Sequence, residues 1–251
     1  MPNLILVNQI SKDVMTVGCI IQARMGSSRL PGKVMINLDG KNPLLYYVIS
    51  QVKFCKKIEK IIVATTINDI DNKIVEYCKN LGISTFRGSE DDVLDRFYKC
   101  AKKFGISTIV RITADNPLVD PNIIDSVIEK FHEANTFYDY VSNFLQKSFP
   151  KGTEVEVFST ESLCTIRKLT KKPYDREHVT PYFYNNSDKF KIANLKNSKD
   201  LSHLRLSIDT ENDLKLVKAI ISKINKKPIH LDNVLTLISK DPSIQKVMGF
   251  K

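Results

Sequence analysis

The spacing of apolar residues divides the first half of the chain into alternating segments of two kinds. Val17 to Ala23 reads as an apolar strand, Lys60 to Thr65 is a β-branched run, and Thr108 to Thr113 (TIVRIT) is a third. Ser84 to Arg87 is a shorter piece of the same kind. Runs rich in Val, Ile and Thr without polar alternation predict strands covered on both faces. Between them, Asn42 to Phe54 carries Leu45, Val48, Ile49 and Val52 at helical spacing. Asp69 to Leu81 opens on acidic residues and stops at Gly82, and Asp91 to Phe104 stops at Gly105. Pro121 opens a further helix to about Ala134. Early acids suit the helix dipole, a terminal glycine accepts the left-handed turn, and proline fits a first turn. The β-α-β-α order predicts an α/β fold, a mostly parallel sheet with helices on both faces.

The pattern changes after Tyr138. Tyr138 to Asn143 and Thr153 to Phe158 (TEVEVF) predict strands with one wet face, since polar and apolar residues alternate strictly in the second. Ser159 caps a predicted helix to Leu169, and Arg176 to Tyr184 predicts another. Leu204 to Ile208 reads as a returning strand and Glu211 to Ile224 as a helix. The 251 residues therefore divide into an N-terminal extension, 1–16, and a single domain, 17–251, with about 140–200 as a smaller α+β insertion.

Charge and cysteine usage narrow the classes. The 38 Lys and Arg against 28 Asp and Glu give a net charge of +10, which favours an anionic partner. The lysines cluster in stretches such as 53–60, 168–172 and 189–199 without interleaved aromatics, a pattern of solvated faces rather than of nucleic-acid binding. No apolar run is long enough to cross a membrane, and the first residues lack the basic start of a secretory signal. Five scattered cysteines without a C-x-x-C pair fit reduced thiols, hence a cytoplasmic setting.

The most informative chemistry is IIQARMGSSRLPGK, Ile20 to Lys33. A buried strand here feeds a short loop in which Arg24, Arg29 and Lys33 stand among Gly26, Ser27, Ser28 and Gly32. Backbone N–H groups and fixed cations are what a polyphosphate requires. The spacing matches neither the common ATP/GTP loop nor G-x-G-x-x-G. From these residues alone, a phosphate cradle and a solvated basic loop both stand. Asp115, in RITADNPLVDP, and Asp209, in LRLSIDTENDL, each follow a predicted strand. Two carboxylates on two strand ends can share one Mg²⁺, although each also suits a helix cap. Asp69-Ile70-Asp71 matches a D-x-D metal motif of glycosyltransferases that use nucleotide sugars, but it opens a helix, where acids are ordinary.

Six segments in order resemble the cytidylyltransferase family of CMP-sugar synthetases: IIQARMGSSRLPGKVM, RGSEDDVLDRF, RITADNPLVDP, KGTEVEVFS, REHVTPYFY and LRLSIDTENDL. The resemblance is to the spore-coat polysaccharide branch, with CMP-Kdo and CMP-sialic acid synthetases as wider relations. It implies a Rossmann-like sheet of the nucleotide-diphospho-sugar transferase type and transfer of CMP from CTP to an acceptor hydroxyl, with pyrophosphate released. The implied acceptor is a 2-keto-3-deoxy sugar acid. Other readings are a phosphorylated or non-sugar acceptor, or a non-catalytic nucleotide sensor. By the same resemblance, Arg24, Ser27, Ser28, Arg29 and Lys33 hold the triphosphate and the backbone at Gln22 and Ala23 the cytosine. Arg87, Asp92, Asp95, Arg96 and Thr113 complete the nucleotide pocket, and Asp115 and Asp209 hold Mg²⁺. Arg24, Lys33, Asp115 and Asp209 are then the catalytic set. Lys151, Glu154, Glu156, Arg176 and His178 face the acceptor, and the insertion doubles as a homodimer arm. Many relatives have Pro at Gln22 and Gly at Ala114, and the added methyl at Ala114 tightens the loop beside Asp115.

Overall fold

A computed structural model describes residues 15–248. Of the expected N-terminal extension only Met15 and Thr16 fall within it. Strands β1 (Val17–Gln22), β2 (Lys60–Thr66), β3 (Ser84–Gly88), β4 (Thr108–Thr113), β5 (Tyr140–Ser142), β6 (Glu156–Ser159) and β7 (Ile192–Asn194) form one sheet in the order β3-β2-β1-β4-β6-β5-β7. β1 pairs in parallel with β2 and β4, β2 with β3, and β5 with β7; β6 alone runs antiparallel to its neighbours. The carboxyl ends of β1 to β4 therefore share one rim, and the reversed β6 begins at that rim.

The predicted double-sided burial is observed. In β1, Cys19 and Ile21 enter one core layer while Ile20 enters the other; in β4, Val110 and Ile112 face the first and Ile109 the second. Helices α1 (Leu44–Val52), α2 (Asn72–Asn80), α4 (Pro121–Phe131) and α8 (Glu211–Lys223) cover the first layer. Helices α3 (Val93–Phe104), α5 (Thr160–Leu169) and α7 (Pro181–Asn185) cover the second, and α6 (Pro173–His178) packs against α3. Two C-terminal helices, α9 (Leu231–Lys240) and α10 (Pro242–Val247), were not expected from the pattern and pack on the first layer through Val234, Ile238 and Ile244.

Three elements differ from the sequence expectation. Leu204 to Ile208 is extended, but its pairing is limited to a bridge between Lys151 and Arg205. The single helix expected over Arg176 to Tyr184 is two helices, because Val179 turns through a φ of 72° and Pro181 starts afresh. A β-branched residue at positive φ is costly and persists only where surrounding contacts impose it. β6 lies inside the sheet between β4 and β5, so Glu156 is buried rather than on a wet face. Among the described residues no helix is long and apolar enough to cross a membrane, and the five cysteines carry no disulfide.

Candidate active site

The loop after β1 is pinned from three sides. Met25, Leu30 and Val34 are buried. The Gly32 amide donates to the Met25 carbonyl (2.9 Å), and Gly32 itself takes φ 69°, a left-handed turn suited to glycine. Asp71, buried beneath, accepts the Met25 amide (2.7 Å), the Thr65 hydroxyl (2.9 Å), and the Thr66 amide (3.1 Å) and hydroxyl (2.6 Å). Burial pushes the Asp71 carboxyl up, but these four donors outweigh it and hold the group below its ordinary range. The D-x-D match thus contains a buried anchor for the basic loop, a role invisible in its sequence spacing.

Asp115 and Asp209 converge. Lys33 Nζ donates to Asp115 Oδ2 (3.0 Å), Asp209 Oδ1 (2.9 Å) and the Ile208 carbonyl (2.7 Å). The extended segment before Asp209 is held there by the Ile208 amide on the Asp115 carbonyl (2.9 Å). Thr113 orients Asp115 through a hydroxyl bond to Oδ1 (2.6 Å). Asp209 also meets Arg29 (2.8 Å), Arg205 (2.6 Å) and Lys151 (3.7 Å). Burial raises the Asp209 pKa, and the Lys33 hydrogen bond and neighbouring cations more than reverse this, so the carboxylate stays ionised. Two carboxylates meeting at one cationic point, with hard oxygen donors, fit a magnesium ion completed by phosphate oxygens and water.

Two cavities open on this pair. One, of about 310 Å³, is lined by Gln22, Arg24, Ser27, Ser28, Lys33 and His178 among others. The second, of about 330 Å³, is lined by Arg111, Asn116, Phe144, Lys151, Glu154 and Glu156 among others. Arg29, Thr113, Asp115 and Asp209 line both. Glu154 accepts the Gly152 amide (2.7 Å), and burial, with Asp115 adding to it, pushes its carboxyl up. Gly152, at φ 101°, lies so close to the Ser207 amide that a Cβ would stand 2.3 Å from it. Glu156 pairs with Arg111 and accepts the Tyr140 hydroxyl (2.8 Å) and the Thr180 hydroxyl. Arg111 in turn donates to the Gln22 side chain (3.1 Å), linking the two cavities.

The structure thus gathers Gln22, Arg24, Ser27, Ser28, Arg29, Lys33, Thr113, Asp115, Asp209, Lys151, Glu154 and Glu156 around one rim, with Ala23 buried at the end of β1. His178 lies on the phosphate-loop side rather than with Lys151, against Tyr174 with ring centroids 4.4 Å apart and the planes tilted by 57°. Arg176 pairs with Asp92 and donates to the Arg167 carbonyl (2.9 Å). Asp92 also caps α3 at the Asp95 amide (2.9 Å), and Asp95 is taken by Lys99 (2.7 Å) and Arg167 (2.6 Å). Arg87 clamps the loop after β2 through the Thr66 and Asn68 carbonyls (both 2.9 Å). Arg96 is wholly buried, and burial with the nearby charge of Arg24 lowers its pKa to about 10. Arg87, Asp92, Asp95 and Arg176 are thus engaged by these partners, and with Arg96 they lie outside the linings of both cavities. Sequence reasoning missed Asn116, Phe144 and Ser207 in the second cavity; Asn116 was within reach, adjoining Asp115 in its motif.

A sheet of this order with a cationic loop and an acidic pair on its rim defines a nucleotidyl-transferring class of α/β protein. Residues 18–236 match the family model described as cytidylyltransferase. The spore coat polysaccharide biosynthesis protein SpsF of Bacillus subtilis is 34% identical over 231 residues, covering 89% of this chain and 94% of that protein. A 3-deoxy-manno-octulosonate cytidylyltransferase of Lawsonia intracellularis is 31% identical over 173 residues, 66% of each. The solved structure of a cytidylyltransferase from Leptospira borgpetersenii superposes with a TM-score of 0.88 at 38% identity, covering 92% of this chain and 96% of that one. The chain belongs to the cytidylyltransferase family.

Proposed function

We propose that the protein transfers CMP from CTP to a hydroxyl of a 2-keto-3-deoxy sugar acid, releasing pyrophosphate, in the cytoplasmic stage of surface-glycan biosynthesis. The observation that carries this reading is the wall common to both cavities. Arg29, Thr113, Asp115 and Asp209 separate a cationic chamber suited to a triphosphate from a mixed-charge chamber suited to a small polar acid. A hydroxyl in the second chamber then faces an α-phosphorus in the first. Its oxygen bonds to phosphorus, the bond to pyrophosphate breaks, and the hydroxyl proton departs. Charge grows on the phosphoryl oxygens and on the leaving group, in the chamber that Arg24, Arg29 and Lys33 line. Ser27 and Ser28 supply neutral donors. Arg29 and Lys151 offer the acceptor's carboxylate a cationic partner. Glu154 is the second-chamber carboxylate best suited to take the proton. Asp209 is ringed by cations and Glu156 is paired with Arg111, whereas Glu154 has no ion-pair partner among the described residues. Asp115 and Asp209 would hold Mg²⁺, which supplies Lewis-acid neutralisation of the phosphates. The reading includes a homodimer through the 140–200 segment, where Leu169 and Tyr174 are exposed.

Pyrophosphate release tests it, with each of the four ribonucleoside triphosphates against 3-deoxy-manno-octulosonate, a sialic acid and two sugar phosphates. CTP with a ulosonic acid is the expected pair. Preference for UTP, or for a sugar phosphate, would replace the reading.

A further inference from the structure

Lys33 is fully committed where it stands. An ammonium has three N–H donors, and Lys33 places them on Asp115, Asp209 and the Ile208 carbonyl, at 3.0, 2.9 and 2.7 Å. The side chain is 11% exposed, so water does not compete for these bonds. In this position it has no donor left for a phosphate oxygen, and it occupies the point at which the two carboxylates meet. A divalent ion bound to the same oxygens, at about 2.0–2.1 Å for magnesium, cannot coexist with it there. Asp209 is besides crowded with positive charge: Arg29, Lys33, Lys151 and Arg205 all lie within 4.0 Å of its carboxylate. A lone metal ion approaching this pair is therefore opposed by both site occupancy and repulsion. A triphosphate reverses both effects, because its oxygens give Lys33 and Arg29 new partners.

We infer that Lys33 is an exchangeable resident cation, which holds Asp115 and Asp209 together and yields its place to the metal only when a triphosphate draws it away. The inference rests on the reading of Asp115 and Asp209 as the metal pair. It adds that metal and nucleotide enter as coupled ligands, each raising the affinity for the other by the same factor. Lys33 thereby protects the rim from adventitious divalent ions, while keeping two like charges at a fixed separation.

Manganese alone, titrated into the full-length protein and followed by electron paramagnetic resonance, tests this without turnover. Wild type is expected to bind Mn²⁺ weakly, and Lys33→Met at least about tenfold more tightly, within the range usual for coupled sites. Lys33→Gln, which keeps a donor for the Ile208 carbonyl without the charge, guards against loss of folding and is expected to show the same gain. Adding Asp115→Asn to either variant is expected to abolish it. Equal Mn²⁺ affinity in wild type and both variants, still abolished by Asp115→Asn, would leave the metal pair standing and overturn the exchange. A gain untouched by Asp115→Asn would overturn the metal pair itself. Tight stoichiometric uptake of Mn²⁺ by wild type alone overturns the exchange whatever the variants do.

Discussion

Replacing Asp71 by Asn separates an anchor from a metal ligand. The carboxylate accepts on two sides: the Met25 amide on Oδ1, and the Thr66 amide with the Thr65 and Thr66 hydroxyls on Oδ2. An asparagine offers one oxygen and one NH₂. The two hydroxyls can rotate to accept, but a backbone N–H cannot. Either amide orientation therefore leaves the Met25 or the Thr66 N–H facing another donor in a buried site. One orphaned backbone donor and the loss of charge-assisted bonds together cost about 2–4 kcal/mol. Because Met25 begins the turn that carries Ser27, Ser28 and Arg29, the surviving protein is expected to bind CTP more weakly. Urea denaturation with an unchanged slope measures the first effect, and calorimetric titration with CTP the second. Full stability combined with lost metal-dependent activity would refute the anchor and restore the D-x-D metal reading. The pH dependence has a fixed sign. The folded pKa of Asp71 is lowered from 3.8, so its contribution is complete above that value and is lost as the pH falls through 3.8 toward the folded value.

Three further outcomes are expected. Asp115→Asn should lower pyrophosphate release at least about a hundredfold at saturating CTP, since removing one preorganised charge-stabilising group costs about 3–4 kcal/mol of transition-state stabilisation; a rate near that of wild type would exclude Asp115 from the machinery. Glu156→Gln should cost about 3–5 kcal/mol in denaturant unfolding by leaving the Arg111 guanidinium buried without its partner, and Arg111→Met in the same chain should recover part of that loss. Gly152→Ala should destabilise by more than about 1 kcal/mol, because a positive φ and the approach to the Ser207 backbone both exclude a methyl group; thermal unfolding unchanged from wild type would contradict this.

Much of the parallel half was legible because its strands are covered on both faces, and that burial writes short runs rich in apolar and β-branched residues, such as Val17 to Ile21 and Thr108 to Thr113. The stop of α3 at Gly105 and the start of α4 at Pro121 were equally local. What failed depended on tertiary partners. TEVEVF alternates as a surface strand does, yet Glu156 is buried because Arg111, Tyr140 and Thr180 satisfy it from three other segments. Arg87, Asp92 and Arg96 stand in a segment read by resemblance, and the contacts they make here, on the loop after β2, the start of α3 and the core, involve tertiary partners that a local segment does not display. The kink at Val179 has no sequence signature beyond Pro181, since valine is a poor advertisement for a left-handed turn.

The lone reversal in the sheet has a practical consequence. Because β6 runs against its neighbours, the chain reaches the reactive rim before it enters that strand, whereas on β1 and β4 it arrives there on leaving. On the proposed reading, Lys151 and Glu154, on the acceptor side, are met upstream of their strand, while the residues that face the triphosphate are met downstream of theirs. On that reading the two substrates are served by opposite ends of neighbouring strands, so a change at Glu154 alters one side without touching the turn that leaves β1.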